Sequence, residues 1–220
     1  MKSFFLAGIS LLTSIYVLAN EPRSANNSKG NIELGGRIGI NISSGKGEQY
    51  LSFNSSSGIS FAAAVNIPLS AEFAFQPELS YVQKGFSYWE NIYEATKTFN
   101  YVELPLLIQY HLGSERLKLM FNFGPSIGYL LSGTIRRGSY GGTAIDMKSD
   151  RVNQFELGFV GGVGLGIQAG PGRVILEGRI EYGLTDVQTI TLTDNSGTSM
   201  GQEEISNIGY MINVGYMIPL

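Results

Sequence analysis

The chain has no cysteine. That excludes disulfides, thiolate nucleophiles, cysteine-held metals and acylation of an N-terminal cysteine. There is one histidine, His111, which leaves little room for a histidine-based metal site. Charge is scarce: 15% of residues are Asp, Glu, Lys or Arg, against roughly 25% in soluble domains. The net charge is −3 and no basic stripe is visible, so no nucleic acid is expected as a partner. After Leu18 no apolar run approaches the roughly 20 residues of a spanning helix. Glycine, by contrast, is abundant at 29 of 220 residues, with 12 tyrosines and 12 phenylalanines.

The N-terminus reads as a secretory signal over residues 1–19. Lys2 precedes an apolar run from Phe4 to Leu18, and Val17-Leu18-Ala19 suits a signal peptidase. At about 15 residues the run is short for a membrane anchor. The mature chain is expected to start at Asn20. Residues 20–30 are polar and aperiodic, a periplasmic linker, and residues 31–220 form one domain.

That domain alternates with period two. From Tyr101 to Leu131, Val102, Leu104, Leu106, Ile108, Tyr110 and Leu112 share one face of a strand. Leu117, Leu119, Phe121, Phe123, Pro125, Ile127 and Tyr129 do so on the next, across the turn Gly113-Ser114-Glu115-Arg116. Further strands are predicted over 31–42, 58–67, 71–84, 153–168, 173–185 and 207–220. The predicted connections are alternately long and short. The long ones are 43–57, the aromatic-rich 85–98, 132–152 and 186–206. Eight antiparallel strands linked in this way predict an all-β, up-and-down transmembrane barrel with short periplasmic turns and long external loops. Both chain ends then lie in the periplasm, and the barrel sits in the cell outer membrane.

The apolar face is expected to meet lipid, because Phe73, Phe75, Phe121, Phe123, Phe155, Phe159 and the aliphatics beside them would overpack an eight-stranded lumen. Tyr81, Tyr129, Phe155, Tyr182 and Tyr210 would form a girdle at the loop ends, and Phe73, Tyr110 and Tyr216 one at the turn ends. The inner face then holds Glu33, Glu72, Glu78, Glu103, Glu156, Glu177 and Glu181 against Arg37, Lys84, His111, Lys118 and Arg179. Unpaired charge in a narrow lumen is costly, so these residues are expected to form a salt-bridged plug; a proton or cation site is the functional alternative. Gly162, Gly164 and Gly166 read as a curvature device. No helix and no GK[ST] follow them, so no phosphate loop and no cofactor are implied. Outer-membrane lipids and lipopolysaccharide are the expected partners; Arg136 and Arg137 read first as part of a solvated loop, with lipopolysaccharide phosphates as the alternative.

The run Tyr101-Val102-Glu103-Leu104-Pro105-Leu106-Leu107, with Gln109 and Tyr110, resembles a strand of the PorT-like outer-membrane β-barrel family of Bacteroidetes-type bacteria. Gly161 to Gly166, Tyr182-Gly183-Leu184-Thr185-Asp186 and Val214-Gly215-Tyr216-Met217 resemble its later segments. The resemblance implies an eight-stranded outer-membrane barrel, and it transfers no catalytic residue. Because one namesake is tied to type IX secretion, it also implies secretion or other outer-membrane proteins as partners. The expected role is structural or surface-binding and not enzymatic. An accessory role in secretion and a lipid-modifying enzyme, with His111 as base, remain the alternatives.

Overall fold

A computed structural model describes residues 30–46, 53–90, 93–114, 116–137, 144–146, 153–193 and 199–220. The predicted signal segment and the linker up to residue 29 lie outside the described residues. The strands are β1 (Glu33–Lys46), β2 (Asn54–Pro68), β3 (Phe73–Glu90), β4 (Tyr93–Gly113), β5 (Leu117–Arg137), β6 (Ala144–Asp146), β7 (Phe155–Ala169), β8 (Gly172–Gly183), β9 (Gln188–Thr193) and β10 (Ser199–Pro219). Eight of them, all but β6 and β9, pair antiparallel in chain order, and β1 closes on β10 from Glu33↔Pro219 to Lys46↔Ser206. Closure leaves the barrel wall without an unpaired edge, which hydrocarbon requires.

The apolar face points out. Ile38, Ile212 and Phe123 are 69%, 67% and 63% exposed, and Leu79, Phe155, Leu176 and Val214 stand with them. The inward positions of the same strands are buried and mostly polar, among them Gln76, Glu78, Asn122, Glu177 and Asn213. A water-soluble barrel would have the opposite arrangement. Some of the rings predicted to form girdles meet: Tyr129 packs edge-on to Phe155 and Phe73 against Tyr110, while Tyr81, midway along the extended β3, stacks on Phe61 at 4.7 Å.

The short turns follow from their residues. Gly113 has φ +109°, and a β-carbon there would lie 2.4 Å from the Leu117 carbonyl oxygen. Between β7 and β8, Gly170 takes φ +61° directly before Pro171, the pattern of a type II′ hairpin turn. The Tyr216 hydroxyl secures that turn, donating to Ala169 O and accepting from Gly172 N.

The predicted long loops are shorter than expected, because the strands run on. β3, β4, β5 and β10 have 18, 21, 21 and 21 residues, against the 9–11 or so that cross a membrane. At about 3.3 Å per residue, 21 residues reach roughly 70 Å. The segment 85–98, expected to be a loop, is the paired upper part of β3 and β4 up to Glu90↔Tyr93. A bulge between Asn100 and Tyr101 in the β4–β5 pairing leaves Leu131 as the extra residue, and beyond it odd-numbered β5 residues such as Ile135 turn inward. β6 and β9 extend the sheet on β5 and β10.

Candidate functional site

The lumen is the site, and its contents are layered along the barrel. Neutral amides fill the turn end. Asn66 Nδ2 donates to Gln76 Oε1 and Gln109 Oε1, each at 2.9 Å, and Gln109 Nε2 donates to Asn122 Oδ1 at 2.6 Å. His111 belongs here: its Nε2 lies 2.5 Å from Gln109 Oε1. Arg173 pairs with Glu33 at 2.9 Å in the same region.

The middle layer is an arginine–glutamate cluster. Glu78 receives Arg179 in a two-bond fork, Nη1 to Oε2 and Nη2 to Oε1, both 2.8 Å. Arg37 approaches the same carboxylate through both terminal nitrogens, Nη1 at 2.6 Å from Oε1. Gln76 adds a bond to Oε1 at 2.7 Å. Glu177 completes the group, meeting Arg179 Nε at 2.7 Å and Arg37 Nη1 at 3.2 Å, and accepts from Asn122 Nδ2. Bonds of this kind offset the desolvation of buried ions only when the remaining lone pairs are filled, as they are on Glu78.

The upper layer is built on Lys84. Its Nζ is 2.7 Å from Glu103, 3.0 Å from Glu181 and 3.2 Å from Glu156, and lies 5.1 Å from the centre of the Tyr101 ring. Asn207 Nδ2 donates to both oxygens of Glu156. Above this, Phe86, Tyr88, Ala95, Phe99, Tyr101, Ile135, Val187 and Ile205 form an apolar core, with Phe53 and Leu130 against it. Lys97 Nζ sits over the rings of Phe86 and Tyr88, at 5.7 and 5.0 Å.

Of the twelve charged residues predicted to line the lumen, eight meet in the middle and upper layers: Arg37, Glu78, Lys84, Glu103, Glu156, Glu177, Arg179 and Glu181. Glu33 is drawn off to Arg173, a residue the sequence reading left out of the lumen. Lys118 is half-buried near the turn end, opposite Gly166. Glu72 departs from the prediction. It is exposed in the turn before β3, where its N–H points to Ser70 Oγ at 3.3 Å, because the strand begins one residue after it. Gln76, Gln109 and Asn122 fall on the inner face as their period-two phase predicts, but the amide network they form with Asn66 was not predicted, since a lone Asn or Gln on a polar face does not announce its partner. Among the described residues no group of three His, Cys, Asp or Glu side chains is arranged to hold a metal ion.

An apolar outer band, a closed wall and an ion-filled interior define a small transmembrane β-barrel of the outer membrane. Residues 20–188 match the family model described as an outer membrane protein beta-barrel domain, and the chain belongs to that family. The match does not single out the PorT-like group. A search of curated protein sequences found no match. Among solved structures, the outer membrane protein OprG from Pseudomonas aeruginosa aligns at 12% identity with TM-score 0.54, over 88% of this chain and 99% of OprG. Ail of Yersinia pestis, in complex with the heparin analogue sucrose octasulfate, aligns at 14% identity and TM-score 0.46, over 86% of this chain and all of Ail. The outer membrane enzyme PagL aligns at 11% and 0.38, over 83% and 99%. These identities speak to the fold alone.

Proposed function

We propose that the protein is a closed, non-enzymatic outer-membrane barrel with a structural or surface-binding role. The observation that carries this reading is the sequence of layers: amides, an arginine–glutamate cluster, a lysine–glutamate cluster and an apolar core follow one another along a single lumen. An eight-stranded interior is just wide enough for side chains to fill, and here long side chains occupy each level. The strands that continue past the membrane then act as a rigid stalk for the external segments. Lipids and lipopolysaccharide are the partners such a stalk meets, with exposed Arg136 near its rim. The first described residues and Leu220 lie on the side of the short turns, which we assign to the periplasm together with both chain ends.

A second reading is accessory service in protein secretion. It rests on the resemblance of Tyr101 to Leu107 to the PorT-like strand. A deletion strain separates the readings. The surface-binding reading expects an unchanged set of secreted proteins and an unchanged lipid A mass on overexpression. Loss of secreted proteins would move the secretion role to the front. A shift in lipid A mass would establish an enzyme instead.

A further inference from the structure

Formal charge separates the two ionic layers. The middle layer is balanced, with Arg37 and Arg179 against Glu78 and Glu177. Arg173 and Glu33 also cancel. The upper layer does not balance: among the described residues Lys84 alone faces Glu103, Glu156 and Glu181, which is one positive charge against three negative, or −2.

Orphaned oxygens lie in the same place. The Tyr101 hydroxyl, Glu181 Oε2 and Asn207 Oδ1 are buried and have no hydrogen-bond partner. Their residues are at most 4% exposed. All three belong to the cluster. A β-carbon at Gly128 would sit 3.4 Å from Tyr101 Cδ1, 3.5 Å from Glu103 Cγ and 3.6 Å from Glu156 Cβ, so these side chains converge there. Asn207 holds Glu156 through its other amide atom, and Glu181 holds Lys84 through its other oxygen. A pocket lined by Glu103, Glu181, Ser60 and Asn213, with Arg37 and Arg179 on its middle-layer side, opens beside them. Excess negative charge and unfilled oxygens in a dry interior are each unfavourable, and one small cation relieves both.

We propose that the upper cluster holds one proton, shared among its three carboxylates, in addition to the Lys84 ammonium. Lys84 already occupies the point where the three carboxylates meet, so the arrangement suits a single light charge better than a fully coordinated divalent ion. The groups facing the site are Lys84 from β3, Tyr101 and Glu103 from β4, Glu156 from β7 and Glu181 from β8. β5 presents Gly128 and β10 Asn207, while the inward Asn41 and Ser43 of β1 and Gly58 of β2 are uncharged.

The test is thermal unfolding of the full-length protein in phosphatidylcholine vesicles. It is run from about pH 6 to about pH 9, in sodium chloride and in matched N-methylglucamine chloride. A bound proton gives a Tm that falls by about 2–4 °C as pH rises, equally in both salts. The sign follows because a proton held only by the folded state stabilises at low pH and is lost at high pH. A Tm raised by sodium over N-methylglucamine would make the occupant a metal ion and overturn the proposal. Glu181→Gln or Glu156→Gln removes the dependence on pH. Each variant also melts above wild type at the high-pH end in N-methylglucamine, since each removes one excess charge. A wild type indifferent to pH would overturn the proposal as well. So would a dependence that survives both substitutions, or a variant that is less stable than wild type under those last conditions.

Discussion

Glu78→Ala is expected to destabilise the barrel by about 3–5 kcal/mol, the cost of leaving a buried ion without its partner. Glu78 accepts from Arg37, from both terminal nitrogens of Arg179 and from Gln76. Its removal leaves both arginines with Glu177 alone, a net charge of +1 in the middle layer. The double substitution Glu78→Leu with Arg179→Met tests the cause. It keeps Arg37 and Glu177, so charge is again balanced, and it replaces an ion pair by apolar groups of similar length. Such replacements are often neutral. Urea unfolding in lipid vesicles should therefore show the double variant well above Glu78→Ala. If the two were equally unstable, packing volume rather than charge balance would govern the layer.

The second large effect is on the outer face. Ile212 is 67% exposed on β10, between the rings of Tyr210 and Tyr216 on the same face. Ile212→Arg should cost roughly 2–4 kcal/mol in a membrane-folding assay, the range for arginine at the bilayer midplane. Ser55 lies near the outer end of β2 and is exposed. There Ser55→Arg should cost almost nothing, because water or headgroups surround it. Equal tolerance at both positions would contradict a lipid-facing band.

The membrane-crossing part of the barrel was legible because one rule holds there with few exceptions. Outward positions are mostly large and apolar and inward ones mostly small or polar, with Leu107 and Met120 inward and Gly178 outward among the exceptions. Above the lysine cluster that rule inverts. Phe86 and Tyr88 follow Lys84 in the same inward phase, and Ala95, Phe99 and Tyr101 precede Glu103 in theirs. With apolar groups now inside, the contrast between faces fades, and 85–98 reads as an irregular loop. The bulge at Leu131 hides β5 further, by shifting its phase in mid-strand. Within the site, the charges announced themselves because ionised groups on a barrel face must be paired. Their partition did not. That Arg37 and Arg179 share Glu78 while Lys84 gathers three other glutamates depends on strand stagger, which alternation alone leaves undetermined.

The central claim is that side chains close the lumen, and single-channel recording in a planar bilayer tests it most directly. The purified wild-type protein is expected to show no stable conductance steps. Every layer from Gln109 through Glu78 and Lys84 to Phe99 stands in the path of an ion. Reproducible steps of uniform size that change with Arg179→Ala would contradict the claim and establish a pore through the arginine–glutamate layer.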